Sequence, residues 1–217
     1  MLASIFLVVE MIQNFVLIKN TFTIIKKKII YHYNSKGFRD REWPNDVSDV
    51  IWCVGDSFTV GIGQPFVETW PQLLEKKTGK RCINVGVESC SNDTMCLRIK
   101  EIYRLYKPKL IVVMWSYLSR RRLNGEDVQL DKNDFGDVND YNNFKKNFNI
   151  TLKIPTNVIH TIVPNAYMGA SIDISKNFKN IINFKQLDYA RDHHHFDVKT
   201  SEHLVNLLTK KINDFDK

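Results

Sequence analysis

Apolar residues fall into short continuous runs that alternate with longer stretches at helical spacing, separated by polar loops. Val50-Ile51-Trp52-Cys53-Val54, β-branched and aromatic and ended by Gly55, predicts a first strand. Arg81-Cys82-Ile83-Asn84-Val85, ended by Gly86, predicts a second. Leu110 to Trp115 is apolar throughout, the pattern of a strand covered on both faces. Asn157 to Val163 predicts a fourth strand and Asn180 to Phe184 a shorter fifth. Between them, Thr69 to Lys77 predicts a helix, with Thr69 as a possible cap, Pro71 in the first turn and Gly79 as the stop. Ser91 to Tyr106 repeats Met95, Ile99 and Ile102 at helical spacing, with Pro108 beyond its end. Val198 to Phe215 closes the chain as an amphipathic helix, with Leu204, Leu207, Leu208 and Ile212 on one face. Strands alternating with helices predict an α/β fold with a mostly parallel five-stranded sheet covered on both faces.

Two regions depart from that alternation. From Ser119 to about Thr151 the chain is dominated by Asn, Asp and Lys, which predicts a long loop with one helix near Tyr141 to Phe148. Met1 to Ile18 is largely apolar but broken by Glu10, Gln13 and Asn14, which cluster on one helical face, and Lys26-Lys27-Lys28 follows. That pattern predicts an amphipathic helix that docks or lies at a membrane surface, ahead of a true anchor or a cleaved secretory signal. If it inserted, the trailing lysines would keep the rest of the chain on the cytoplasmic side. The expected organisation is an N-terminal helix over residues 1–30, a lead-in over 31–49 and one domain over 50–217. At 217 residues the chain is long enough for one such domain with a full core.

Charge and cysteine content narrow the class. A net charge of +7 invites a nucleic-acid partner, but no reading motif accompanies it, so the expectation is a solvated basic surface and no nucleic acid. Cys53, Cys82, Cys90 and Cys96 have no metal-ligand spacing and no disulfide-framework pattern. They are expected as buried free thiols, which suits a reducing compartment. Asn149-Ile150-Thr151 is a glycosylation sequon, without meaning in such a compartment.

The chemistry concentrates in two fragments. Gly55-Asp56-Ser57-Phe58-Thr59 follows the first strand directly, which delivers Ser57 to the carboxyl edge of the sheet, where open α/β folds bind ligands. Asp56 is expected as a structural hydrogen-bonding residue. Near the other end lies Arg191-Asp192-His193-His194-His195-Phe196-Asp197. Three adjacent histidines cannot all face one ion, so no metal is expected. In Asp-x-x-His, the carboxylate of Asp192 can take a hydrogen bond from one nitrogen of His195, leaving the other to accept the Ser57 proton. His194 is the fallback base, and His193 a pocket-wall or surface residue.

Gly-Asp-Ser-Phe-Thr after the first strand, a glycine after the second and Asp-x-x-His before the last helix together resemble the SGNH (GDSL-type) hydrolases. The likeness runs from Val50 to the C-terminus and includes Asn34 to Asp40, similar to a lead-in seen in some members. It implies a flavodoxin-like three-layer α/β/α sandwich, Ser57 as nucleophile with Asp192 and His195, and an oxyanion hole containing the N–H groups of Ser57 and Gly86. One departure stands out. The family usually places Gly-x-Asn-Asp after the third strand, its Asn donating to the oxyanion, whereas this chain reads Trp115-Ser116-Tyr117-Leu118-Ser119-Arg120. Loss of one such donor costs about a hundredfold to a thousandfold in turnover. Ser116, Tyr117 and Arg120 are candidates to substitute, as is Asn92 if it does not simply cap its helix along with Ser91. Arg120-Arg121-Arg122 reads first as a solvated charge run and second as a grip on an anionic or sugar substrate. Trp115 and Tyr117 read as core aromatics before sugar-stacking ones, and His194 joins Ser116, Tyr117 and Arg120 as a possible substrate contact.

The expected activity is a serine esterase that uses no cofactor and cleaves small acyl esters, among them O-acetyl groups on carbohydrate. The missing Asn keeps two alternatives open: a weakly active or non-catalytic module that binds a glycan or partner through the same cleft, and an acyltransferase.

Overall fold

A computed structural model describes residues 29–129, 138–164, 178 and 180–215. The predicted N-terminal helix and its membrane-surface contact lie in residues 1–28, outside the described residues. Among the described residues, no helix is long and apolar enough to cross a membrane.

Five strands form one sheet: β1 (Ile51–Gly55), β2 (Cys82–Asn84), β3 (Leu110–Trp115), β6 (Asn157–Ile162) and β7 (Ile181–Ile182). Their order is β2-β1-β3-β6-β7, and every neighbouring pair is parallel. The apolar runs dictate this. Each residue of β1 and of β3 is buried, so neither strand has a face for water, and a parallel sheet clothed in helices is what accommodates such strands.

The helices form two layers. The helix α2 (Trp70–Thr78) packs against α5 (Val198–Asn213), while α3 (Asn92–Tyr106) packs against α4 (Val138–Thr151). Met95, Ile99 and Ile102 of α3 are buried, as are Leu204, Val205, Leu208 and Ile212 of α5. Gly79 ends α2 at φ 70 with its N–H on the Glu75 carbonyl, the left-handed stop that glycine favours. This is the three-layer α/β/α sandwich with a parallel five-stranded sheet.

Two elements were not expected. The helix α1 (Ser57–Val60) is a single turn that starts at the serine itself. The polar stretch after β3 is not an unbroken loop: β4 (Arg120–Leu123) and β5 (Glu126–Gln129) pair as an antiparallel hairpin. Its helix is also longer than the expected Tyr141 to Phe148. The hairpin rests on the start of α3, where Asp127 takes hydrogen bonds from the hydroxyls of Ser91 and Thr94. Polar side chains rather than an apolar face hold it, which is why hydropathy did not reveal it.

The lead-in braces the end of α1 and the segment after it, and then packs against β2 and β1. Trp43 packs edge-on against Trp52, with ring centroids 5.0 Å apart. Arg39, almost wholly buried, donates to the carbonyls of Val60, Gly61 and Gln64. Its guanidinium lies 4.2 Å from the Tyr31 ring, whose hydroxyl accepts the Gly63 N–H at 2.8 Å. Asp40 takes hydrogen bonds from Arg81 at 2.8 Å and from the Asn84 N–H at 3.0 Å, tying the lead-in to β2.

Candidate active site

The turn after β1 places Ser57 at the carboxyl edge of the sheet. Asp56 adopts an extended conformation, and its Oδ1 accepts the Phe58 N–H at 3.0 Å, an N-cap that starts α1 at Ser57. The other oxygen, Oδ2, accepts from the Ser116 hydroxyl and from Arg120 Nη1, the latter at 2.8 Å. Burial pushes the Asp56 carboxyl pKa up, and the Arg120 charge and the Ser116 and Phe58 hydrogen bonds pull against that rise. Asp56 is thus a structural anchor, tied to the hairpin on one side and to the Ser57 turn on the other.

The loop before α5 winds tightly. Ala190 N–H donates to the His195 carbonyl at 2.7 Å, and His193 N–H to the Ala190 carbonyl at 2.9 Å. His193 takes φ 57 at the bend and is exposed. Asp192 Oδ1 accepts the N–H groups of His194 and His195, each at 3.0 Å, and Oδ2 meets His195 Nδ1. The other ring nitrogen, Nε2, lies 2.7 Å from Ser57 Oγ. The structure therefore brings together Ser57, His195 and Asp192, residues 138 and 3 positions apart in the chain. Burial would raise the Asp192 pKa, but the hydrogen bonds from His195 and the His194 and His195 N–H groups outweigh it and hold the carboxyl at about 2. The fallback base, His194, is exposed and lies against Phe58 with ring centroids 5.9 Å apart. Phe58 also backs the His195 ring at 4.5 Å.

Two features hold this loop in place that no local motif announced. Asp188 accepts the N–H groups of Asp197, Lys199 and Thr200, at 3.2, 2.8 and 3.0 Å, capping α5 from outside the helix. Gly63 sits at φ 78 where a Cβ would lie 2.8 Å from Ala190 Cβ and 3.3 Å from Asp192 Cγ, so the segment braced by Arg39 packs directly on the histidine loop.

The expected oxyanion donors are placed differently from one another. No acceptor takes the Ser57 N–H among the described residues. The Gly86 N–H, in contrast, donates to Asn84 Oδ1 at 2.9 Å. Gly86 is glycine because α1 presses on it, with Val60 N 2.8 Å from where a Cβ would stand. Asn92 does not reach into the site: its Nδ2 donates to the carbonyls of Ser116 and Tyr117, and its Oδ1 accepts the Ser116 N–H. Ser91, not Asn92, caps α3, with its Oγ accepting the Thr94 N–H at 3.1 Å.

Of the remaining candidates, Ser116 is fully buried and its hydroxyl is committed to Asp56. Trp115 is fully buried in the core. The half-buried Tyr117 lies between Phe58 and Arg120. The arginine run is not a solvated charge run. Arg120 is 8% exposed and bonded to Asp56, and Arg121 pairs with the buried Asp140. Only Arg122 is exposed, with its N–H on Asp93. Buried carboxylates at both neighbours draw the first two charges inward.

No protein-family model and no curated relative matches this chain. Its fold does match solved structures at low identity. Esterase EstA from Pseudoalteromonas sp., in a structure inhibited by monoethylphosphonate, superposes with a TM-score of 0.50 at 16% identity, covering 77% of this chain and 98% of that one. A GDSL-like lipase from Bacteroides thetaiotaomicron gives 0.52 at 16% identity, over 77% and 89% of the two chains. A family two carbohydrate esterase from Clostridium thermocellum, in complex with cellohexaose, gives 0.52 at 13% identity, over 80% and 66%. Many of the structural neighbours are lipolytic proteins of the GDSL family. The chain therefore shares the α/β fold of these GDSL-type esterases.

Proposed function

We propose that this chain is a serine ester hydrolase acting on small acyl esters, including O-acetyl groups on carbohydrate. The observation that carries the reading is the 2.7 Å separation of Ser57 Oγ and His195 Nε2, with Nδ1 of the same ring on Asp192. A base within hydrogen-bond reach of a hydroxyl, and itself oriented by a carboxylate, is the arrangement that activates serine. His195 Nε2 takes the hydroxyl proton as Ser57 Oγ attacks the ester carbonyl. The tetrahedral intermediate collapses, the leaving alcohol takes that proton from His195, and an acyl-Ser57 remains. Water, deprotonated by the same nitrogen, attacks the acyl carbon; the bond to Ser57 Oγ then breaks, the acid leaves, and His195 returns the proton to Ser57 Oγ. The Ser57 N–H serves the carbonyl oxygen. The carbohydrate part of the reading rests on the shared fold with the clostridial carbohydrate esterase and on the half-buried Tyr117 and exposed His194, whose rings both pack against Phe58, the residue after Ser57.

Two observations favour a second reading, a weakly active module that binds through the same cleft: Asn84 holds the Gly86 N–H, and the Ser116-to-Arg120 segment directly after β3 contains no Asn. Treatment with a fluorophosphonate, followed by mass spectrometry, decides between them. Stoichiometric adduct on Ser57 and esterase activity abolished in Ser57→Ala are expected; an unlabelled Ser57, or a fully active Ser57→Ala, removes the hydrolase reading. Poor hydrolysis rescued by an added sugar acceptor would instead identify an acyltransferase.

A further inference from the structure

A hydrolase of this kind needs more than one donor for the charge that develops on the carbonyl oxygen. The Ser57 N–H supplies one. The Gly86 N–H and the Asn92 amide are both held by other protein atoms, and the Ser116 hydroxyl is held by Asp56. Arg120 differs from all of these. Its Nη1 donates to Asp56 Oδ2 at 2.8 Å and to Ser116 Oγ at 3.0 Å, and its Nε to Gln129 Oε1 at 3.3 Å. Nη2 has no acceptor among the described residues and is not among the buried unpartnered atoms, so solvent reaches it. The guanidinium is thus fixed on one side and open on the other.

We propose that Arg120 is the second oxyanion donor, its Nη2 group taking the place of the side-chain amide that the chain lacks after β3. The inference rests on the hydrolase reading above. Asp56, which anchors the guanidinium, immediately precedes Ser57, so the arginine is tied to the same turn that carries the nucleophile. Both members of the pair are buried, with side-chain exposures of 10% and 0%, in a setting where charge acts more strongly than in water. Tyr117 lies 5.2 Å from the guanidinium carbon and helps fix its plane. The β4–β5 hairpin supplies both Arg120 and its partner Gln129, which gives that hairpin a chemical purpose. A planar fork suits the task because two of its nitrogens can be anchored while the third points at substrate.

A purely structural ion pair is the competing explanation, and a paired substitution separates the two. Asp56→Asn with Arg120→Gln replaces the ion pair by neutral amides of similar reach and leaves the cap on Phe58 possible. Hydrolysis of p-nitrophenyl acetate, thermal melting and the rate of fluorophosphonate labelling are measured on the full chain. If Arg120 serves the oxyanion, kcat of the double variant falls about a hundredfold to a thousandfold, with KM within about threefold. Labelling slows as well, because phosphonylation loads charge on the same oxygen. A folded double variant with wild-type kcat overturns the proposal. Should that variant not fold, Arg120→Lys decides. A single ammonium held by Asp56 and Ser116 leaves no second nitrogen for substrate, so kcat falls by at least about tenfold if the proposal holds, and unchanged kcat overturns it. A wild-type protein that neither labels nor hydrolyses ends the hydrolase reading and this one together. An active wild type with equally active variants ends this one alone.

Discussion

Asp192 shows how a short loop gives an ordinary carboxylate a fixed task. One oxygen collects two backbone N–H groups of its own loop and the other meets His195. Those bonds decide which of three adjacent histidines faces Ser57, a choice the spacing Asp-x-x-His pointed to but could not separate from His194. Replacing Asp192 by Asn keeps the shape and removes the charge that orients and supports the imidazole. The expected outcome is a fall in kcat of about 10⁴-fold with nearly unchanged KM, measured by ester hydrolysis. The same substitution has a pH signature. The carboxyl titrates at about 2 instead of its ordinary 3.8, so the stability it contributes is complete above 3.8 and lost as pH falls from there toward 2. Acid melting curves of wild type and Asp192→Asn therefore converge across that interval. Ser57, Asp192 and His195 were readable as candidates because each motif is local. Arg39 and Asp188 were not, since their hydrogen-bond partners lie 9 to 25 residues away in the chain and no spacing rule links them.

At the scale of elements, legibility followed apolar burial. The strands of the main sheet and helices α2, α3 and α5 announced themselves through runs or periodicity. The β4–β5 hairpin did not, although Asn124-Gly125 at its tip, with φ 51 and 89, is a strong two-residue hairpin signal. It was masked because Arg120-Arg121-Arg122 and Glu126-Asp127 give its strands no apolar alternation. The lead-in also proved more than a connection. Through Arg39 it grips the carbonyls of Val60, Gly61 and Gln64, and Gly63 within that segment packs on Ala190 and Asp192. Arg39 is therefore a positioning residue acting on the histidine loop through its neighbour. Arg39→Ala should destabilise the fold by about 2–4 kcal/mol through stranded buried carbonyls, read from denaturant midpoints. It should also lower kcat more than stability alone explains, by about tenfold under fully native conditions, because small displacements of reacting groups are costly. Partial rescue of kcat by Arg39→Lys is expected. An Arg39→Ala protein that is destabilised yet fully active at low temperature would show that the strap merely holds the fold.

On the scale of the whole molecule, the parallel sheet brings Ser57, at the end of inner strand β1, to the loop that follows edge strand β7. The sheet also encloses a titratable group that the chemistry does not use. His160 lies on inner strand β6, 2% exposed, with its ring parallel to Trp115 and 4.6 Å from the Phe148 ring centroid. Trp115 Nε1 donates to its Nδ1 at 3.2 Å, which places the imidazole proton on Nε2, where no acceptor lies among the described residues. Such a site admits the neutral ring only. Burial depresses the pKa from 6.5 to about 4, so between those values the unfolded chain binds a proton that the folded chain refuses. Stability contributed by the neutral ring is whole above 6.5 and declines as pH falls toward 4, by about 2 kcal/mol at pH 5 and about 3 kcal/mol at pH 4. His160→Gln keeps an acceptor for Trp115 and has nothing to titrate, so its stability over this range lacks that loss. Urea midpoints at pH 7 and pH 5 test the point: the wild-type advantage over His160→Gln should shrink by about 2 kcal/mol between them. A constant difference would mean that the core accepts the charged ring, contrary to the apolar packing of Trp115 and Phe148 around it.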